Sequence, residues 1–218
     1  MEVLELPRAG LGFGRVVVDR HGVTRRGPLS SASLAWHEVD DYRLTIQLVG
    51  VARPWISLDD VALAIAAATD AVGAYRGRDR FRYRLDLLGA DRRVRIDWRF
   101  LGAEQAIAAI LGRLRRPLGD RAREAFGAGG VGRFGPLAIA DHGIAWRGGP
   151  PVPRARVDAI DLFDSSPIRL RVMALGKALP HGAAPLAGIP NLAAALDLAR
   201  ALGSRVRGRE LLAPLGLA

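Results

Sequence analysis

The chain has 218 residues, of which half are hydrophobic and a quarter are charged, a composition typical of a globular protein with one large domain or two small ones. It contains no cysteine, which excludes a disulfide framework and a thiolate metal site. The net charge of +10 favours anionic partners, but the excess is spread evenly along the chain, which is weaker evidence for nucleic-acid binding than one basic lobe would be.

The sequence shows no signal for export or membrane insertion. MEVLELPRAG, at the N-terminus, has acidic residues where a signal peptide needs basic ones. The most apolar stretch, residues 61–75, is interrupted by Asp70 and falls short of the ~20 residues of a membrane-spanning helix. We therefore expect a soluble, cytoplasmic protein without a transmembrane segment, whose contact with a membrane would be peripheral.

The first predicted elements are strands joined by a tight turn. Residues 13–27, FGRVVVDRHGVTRRG, predict a β-hairpin in which the glycine of DRHG supplies a positive φ. A strand with the pattern W-x-E-V follows at 36–39. Residues 50–78 form an insertion, in which SLDD resembles a capping box before a helix over 61–75. The basic residues of the first hairpin are one candidate anion-binding group: Arg20, Arg25 and Arg26.

Residues 80–100, RFRYRLDLLGADRRVRIDWRF, alternate charged and apolar side chains, which predicts a half-buried β-hairpin. A two-residue loop at Gly89 and Ala90 would place Leu85 opposite Val94. On the charged face, the same register pairs arginine with arginine at two positions, which is unfavourable without water or an anion between them. The arginines of this face are the main candidate anion- or lipid-binding group: Arg80, Arg82, Arg84, Arg93, Arg95 and Arg99.

Two interpretations of this charged face remain open. It is either a surface for lipid headgroups, phosphates or an acidic partner, or a solvated outer face. The composition favours the solvated face, because Lys177 is the only lysine and such an arginine bias is typical of a GC-rich genome.

An amphipathic helix is predicted after this hairpin, with Ile107 and Ile110 on its apolar face and its end at Pro117. GAGGVG at 127–132 matches a dinucleotide-binding glycine pattern. However, a helix is expected before it and a strand after it, the reverse of what such a site needs. We interpret this stretch as a linker.

The second half of the chain repeats the first. FGPLAIADHGIAWRG, at 134–148, aligns without a gap on 13–27, and the same offset pairs Trp36 with Val157 and Asp40 with Asp161. We infer a duplication. The second copy closes with a helix that begins after Asn191, and the residues after Arg205 form a tail. Three leucines of the tail are available to dock: Leu211, Leu212 and Leu215.

No catalytic or metal-binding pattern is present. His21 and His142 repeat because the turn repeats, and Asp40 and Asp161 are expected to cap or end strands. We therefore expect no enzyme activity, no catalytic residue, no cofactor and no metal. Nucleic-acid binding is the alternative, and it would be limited to the backbone because the hairpin aromatics are expected in the core, opposite the arginines. These aromatics are Phe81, Tyr83 and Trp98.

Both copies resemble the pleckstrin-homology-like (PH-like) superfold in the order of their elements: strand, HG turn, strand, W-x-E-V strand, further hairpins and one closing helix. More narrowly, they resemble bacterial proteins with PH-like, GRAM-like domains. The resemblance covers about residues 11–116 and 132–203. It implies an α+β fold of two tandem domains, each an antiparallel, strand-rich partial barrel closed by a C-terminal helix, with a helical insertion in the first. The expected divisions are a first domain at 1–126, a linker at 127–132, a second domain at 133–205 and a tail at 206–218.

The resemblance implies binding or scaffolding rather than catalysis. The expected partner is a protein, reached through the insertion helix or exposed strand edges, or an anionic membrane surface, reached through the arginines. Headgroup binding would belong to the first copy, because Arg20 and Arg25 correspond to Asp141 and Trp146 in the second.

Overall fold

The computed structural model of the chain describes residues 3–8, 14–28, 30–48, 81–163 and 167–217. Arg80 and the predicted insertion helix lie outside the described residues. Within these ranges the fold is α+β with several antiparallel sheets, as predicted, and the sheets form no closed barrel. None of the helices found there is both long enough and apolar enough to cross a bilayer.

In its described residues, the first half contains a four-stranded antiparallel sheet, a three-stranded antiparallel sheet and a long helix. In both sheets, strands that are consecutive in the chain are neighbours and pair with each other. Alternation buries one face of each strand, so that Val16 and Val18 of the first sheet and Leu44 and Ile46 of the second enter the core. The elements are β1 (Leu4–Pro7), β2 (Arg15–Val18), β3 (Gly22–Arg26), β4 (Ser31–Ala35), β5 (Asp41–Leu48), β6 (Phe81–Leu88), β7 (Arg93–Asp97) and α1 (Ala103–Gly129).

The second half repeats this order of elements. Its four-stranded sheet consists of β8 (Val131–Phe134), β9 (Leu137–Ala140), β10 (Gly143–Trp146) and β11 (Val152–Pro153). The next elements are β12 (Val157–Phe163), β13 (Arg169–Ala174), β14 (Gly182–Pro185) and α2 (Leu192–Ala201). After α2, β15 (Val206–Arg207) pairs in parallel with β12, and a 3-10 helix covers Arg209–Leu215.

The correspondence between the halves is not free of gaps. Gly22 pairs with Ala35, whereas Gly143 pairs with Pro153, so the second copy is three residues shorter between these paired strands. The predicted alignment therefore holds for the first hairpin and is wrong beyond it.

Backbone hydrogen bonds fix the correct match after this deletion. The Trp36 N–H donates to the His21 carbonyl at 3.1 Å, and the Arg154 N–H donates to the His142 carbonyl at 2.9 Å. Both donors begin a short 3-10 helix that leads into the first strand of the next sheet, β5 in the first half and β12 in the second. Trp36 thus corresponds to Arg154, and the predicted match with Val157 is wrong.

The repeated glycine of the turns serves a steric purpose. Neither Gly22 nor Gly143 has a positive φ, so that part of the prediction is wrong. A Cβ on Gly22 would lie 2.1 Å from the Leu34 carbonyl oxygen, and a Cβ on Gly143 would lie 2.1 Å from that of Val152. Both glycines are needed because the neighbouring strand approaches too closely for any side chain.

The predicted charged hairpin is formed by β6 and β7, but its register differs from the prediction by two residues. Arg84 lies opposite Asp97 and Asp86 opposite Arg95, so that the loop comprises the four residues 89–92 rather than two. A two-residue shift leaves each side chain on its predicted face. The apolar face is accordingly buried as expected: Tyr83, Leu85, Leu87, Val94 and Ile96.

Helix α1 continues well past its predicted end. Pro117 lies inside the helix with its side chain exposed, so the backbone hydrogen bond that proline cannot make falls on the solvent side. The helix ends at Gly130, whose left-handed conformation lets its N–H donate to the Phe126 carbonyl. The stretch 127–132, predicted as a linker, therefore forms the last turn of α1 and the first residues of β8.

The two halves share one hydrophobic core, and hydrogen bonds join β5 to the second half. The Asn191 side-chain oxygen accepts from the Tyr42 N–H at 3.1 Å, and the Asn191 N–H donates to the Tyr42 carbonyl at 3.1 Å. The Tyr42 hydroxyl in turn accepts from the Ala193 N–H at 2.8 Å, which satisfies a free donor at the start of α2. Farther along the strand, the Ile168 N–H donates to the Ile46 carbonyl at 2.9 Å.

We expect Tyr42→Phe to lower the free energy of unfolding by about 1–2 kcal/mol, because it leaves the Ala193 N–H buried without an acceptor. Burial also raises the pKa of the Tyr42 hydroxyl, so it remains an un-ionised partner at neutral pH. Chemical denaturation measures the change. Ser33→Ala, which removes an exposed hydroxyl, is the control and should alter stability little. Equal stability of Tyr42→Phe and the unmodified chain would contradict this role for the hydroxyl.

The C-terminal tail covers the edge of β12. The Ile160 N–H donates to the Arg205 carbonyl at 2.8 Å. Ile160 corresponds to Tyr42, whose backbone is hydrogen-bonded by Asn191 of the second half. The tail therefore contacts β12 at the position where the second half contacts β5. The predicted docking of the tail leucines is confirmed. Leu212 and Leu215 are buried, and Leu211 is partly buried against the core.

Candidate anion-binding face

The charged side of β6 and β7 lies on the opposite face from the core. We call its described arginines the arginine face: Arg82, Arg84, Arg93, Arg95 and Arg99. Asp86 and Asp97 lie on the same face and are buried. Strand β5 adds Arg43 opposite Asp86 and Thr45 opposite Arg84.

Asp86 is the organising residue of this face. Its carboxylate accepts from Arg93 Nε at 3.0 Å and from Arg95 Nε at 2.7 Å, and Arg93 Nη2 lies 2.8 Å from its second oxygen. Arg84 Nε lies 3.7 Å from the same carboxylate. Burial would raise the pKa of Asp86, but the hydrogen bonds from Arg93 and Arg95 outweigh burial and hold this pKa below its usual range.

Asp86 and Asp97 carry two negative charges against the five arginines of this face. The side chains of Arg84, Arg93 and Arg95 keep 33%, 51% and 37% of their surface exposed, so their remaining charge faces solvent. The predicted Arg84–Arg95 pair is wrong, because the shifted register places an aspartate opposite each of them. The face therefore combines an internal ion-pair network with an outward excess of positive charge.

Trp98 belongs with the arginines rather than with the core. Strand β7 ends at Asp97, and the half-buried Trp98 ring lies 5.7 Å from the Arg82 guanidinium and 5.6 Å from that of Arg99. The prediction that this ring lies opposite the arginines is wrong. It assumed that strand alternation continues through Trp98, whereas β7 ends one residue earlier, at Asp97. Arg82 and Arg99 are held by cation–π contacts and do not contact Asp86 in the described part of the chain.

The second candidate group does not form one site. Arg20 is exposed and donates to the His21 ring at 2.9 Å. Arg25 and Arg26 are adjacent in β3 and therefore point to opposite faces of the sheet. The Arg25 guanidinium lies over the Phe100 ring at 5.8 Å, whereas Arg26 is exposed.

The histidines and aspartates that were predicted to correspond are not brought together either. The three-residue deletion matches Asp40 with Asp158, so the predicted match with Asp161 is wrong, and Asp161 lies inside β12 rather than at its end. His21 and His142 are exposed, each in its own turn between two strands. Asp40 is exposed, whereas Asp161 is partly buried and lies 3.7 Å from Arg171. Across residues 3–217, as far as they are described, no three histidine or acidic side chains are grouped so as to hold a metal ion.

Sequence reasoning identified the arginines and missed the residue that arranges them. The available signal was that Asp86 is the only acidic residue of β6, placed among basic residues on one face. No protein-family model matches the chain, and no curated protein or solved structure matches it either.

Proposed function

We propose that this chain is a non-catalytic binding protein made of two PH-like units, and that the arginine face binds an anionic membrane surface. The PH-like assignment is supported by the order of elements. In the described residues, each half contains a four-stranded antiparallel sheet, a second sheet with three consecutive antiparallel strands and a helix after it. In the second half, β15 adds a fourth, parallel strand to that second sheet. The same fold supports many functions, so the binding role is argued from the arginine face itself.

The observation that carries the proposal is the unbalanced charge around Asp86. Three arginines surround one buried carboxylate at 2.7–3.7 Å and remain partly exposed. Arg82 and Arg99 add two more cations beside the Trp98 ring. Cations around an amphipathic aromatic ring suit the headgroup region of an anionic bilayer, because lipid phosphates attract the guanidinium groups and the ring tolerates a partly wet environment.

Two other kinds of partner are less well supported by the geometry. The backbone edges of β5 and β12 already form hydrogen bonds with Asn191 and Arg205 of the same chain. These positions are therefore not available for pairing with a strand of another protein. A single-stranded nucleic acid needs a free aromatic ring on which a base can stack, and Trp98 is already contacted by Arg82 and Arg99.

Co-sedimentation with vesicles tests the proposal. We expect binding to phosphatidylglycerol vesicles at low salt, weakening as ionic strength rises, and no binding to phosphatidylcholine vesicles. The double variant Arg82→Gln/Arg99→Gln should lose affinity roughly tenfold or more, since each basic residue near an anionic surface contributes about 1 kcal/mol. Arg82 and Arg99 are chosen because their removal leaves the Asp86 network intact.

The matched control removes the same charge elsewhere. Arg156 and Arg205 are exposed residues of the second half, and Arg156→Gln/Arg205→Gln should bind vesicles much more tightly than the Arg82/Arg99 variant. Equal losses in both double variants would show that net charge alone drives binding and would reject the arginine face. Absence of binding to anionic vesicles at low salt would reject the membrane proposal and direct the search to protein partners.

A further inference from the structure

A groove lies beside the arginine face, between β4 and the loop that joins β6 to β7. Its volume is about 380 Å³, at the lower end of the range for small-molecule sites. Two serines, two arginines, an alanine and one aspartate line it: Ser31, Ala32, Ser33, Asp91, Arg92 and Arg93.

The loop that forms one wall of the groove is packed against the other wall. A Cβ on Gly89 would lie 2.7 Å from the Leu34 side chain and 2.8 Å from the Glu38 carbonyl oxygen. The Gly89 N–H also donates to the Arg92 carbonyl at 2.9 Å, which closes the loop. The backbone of the loop is therefore held against the end of β4 next to the groove.

Except for Asp91, the polar side chains of the groove are hydrogen-bond donors suited to an anion. Ser31 and Ser33 are two residues apart in β4, so their exposed hydroxyls lie on the same face. The Arg93 guanidinium is half-exposed and is held in place by Asp86, a hydrogen bond that raises the pKa of Arg93. Arg92 is 55% exposed and has only a loose contact with Asp91, at 3.8 Å.

We propose that this groove binds the terminal phosphate monoester of a lipid headgroup. A phosphate monoester carries close to two negative charges and three acceptor oxygens, which matches two guanidinium groups and two hydroxyls. Arg93 belongs to both the groove and the arginine face, so a bilayer on that face presents its headgroups to the groove. This inference rests on the proposed membrane binding and adds a choice of headgroup to it.

Asp91 is the one carboxylate on the groove wall and opposes an anion there. Its side chain is 84% exposed, and its 3.8 Å contact with Arg92 holds it weakly. Asp91→Asn should therefore strengthen binding of a phosphate monoester by roughly two- to fivefold, by removing a like charge. A gain of affinity is informative because a damaged fold does not produce one.

The second half has no equivalent groove wall. At the offset that matches the β4 and β11 pairs, Gly149 and Pro151 stand where Ser31 and Ser33 stand in the first half. Neither residue carries a hydroxyl. The site is thus confined to the first half of the chain.

The test compares vesicles that contain phosphatidic acid, a phosphate monoester, with vesicles that contain phosphatidylglycerol, a diester, at matched surface charge. We expect tighter binding to phosphatidic acid. Ser31→Ala/Ser33→Ala and Arg92→Gln should each reduce this preference by roughly tenfold, through the loss of charge-assisted hydrogen bonds, and should retain binding to phosphatidylglycerol. Arg156→Gln is the charge control for Arg92→Gln, and thermal denaturation verifies that every variant is folded.

The outcomes separate this inference from the proposed function. Equal binding of both lipids by the unmodified chain would overturn the groove and leave the arginine face standing. Absence of binding to either lipid would overturn both. Glycerol 3-phosphate, titrated without vesicles, provides the soluble arm. If glycerol 3-phosphate binds as tightly as the lipid and its binding depends on Ser31 and Ser33, the groove is a phosphate-monoester site. The proposal that its ligand is a membrane lipid is then overturned.

Discussion

Replacing Asp86 by alanine is expected to lower the free energy of unfolding by about 3 kcal/mol, the largest effect of any single carboxylate on this face. The substitution leaves Arg84, Arg93 and Arg95 clustered without the anion that holds them. It also empties a buried position in the middle of β6. Urea denaturation at neutral pH measures the loss, and Asp91→Asn, on the same hairpin but exposed, should change stability by less than about 1 kcal/mol.

The pH dependence of the same network gives an independent readout. Because the pKa of Asp86 is lowered in the folded state, its contribution is fully present above the unfolded pKa and is lost as the pH falls through the folded pKa. The unmodified chain should therefore lose stability below about pH 4, and Asp86→Asn should lose less over the same interval. Parallel acid profiles for the two proteins would show that Asp86 is not the anion that organises the arginines.

Gly143→Ala is expected to be nearly as damaging, at about 3 kcal/mol. Its Cβ would lie 2.1 Å from the Val152 carbonyl oxygen, which is a backbone atom and cannot rotate away. The pair of strands β10 and β11 would have to separate. Gly22→Ala should behave in the same way, because its Cβ would lie equally close, at 2.1 Å, to the Leu34 carbonyl oxygen.

Gly112→Ala is the control for these glycine substitutions, and its effect has the opposite sign. Gly112 lies in α1 with open space around its Cβ position. Alanine there should stabilise the chain by roughly 0.5–1 kcal/mol through helix propensity. Thermal or chemical denaturation of the three variants tests the argument, and a Gly143→Ala protein as stable as the unmodified chain would show that close strand approach is not the reason for the glycine.

The faces of the charged hairpin were predictable, and its register was not. Alternation assigns each residue to a face with a period of two, and a shift of two residues preserves every assignment within β6 and β7. Only the loop distinguishes the two registers, and Gly89-Ala90 suits a two-residue turn as well as part of a four-residue one. The choice matters for the site, because it exchanges a predicted Arg84–Arg95 pair for arginine–aspartate pairs.

The correspondence between the two halves was predicted correctly where residues are identical and wrongly where they are only similar. Beyond 134–148 the match rests on apolar positions of short strands, and such positions tolerate more than one offset. The three-residue deletion before Pro153 is visible only in the strand pairing. The repeated glycine was recognised, but its reason was not, because the sequence does not distinguish a positive φ from a close backbone approach.

Contacts between distant segments lay beyond sequence reasoning. Tyr42 and Asn191 exchange hydrogen bonds across most of the chain, and neither residue has a local pattern that points to the other. Helix α1 passes Pro117 because that position faces solvent, a fact that depends on the packing of the whole helix. The arginines of the candidate site follow from the sequence, whereas their arrangement around Asp86 follows from the fold.

Arg205 and Val206 cover the β12 edge at the point where Asn191 covers the β5 edge. Unpaired N–H and C=O groups on such an edge invite other chains to add strands and grow into an open-ended assembly. Here a few residues close this edge of β12 within a single molecule.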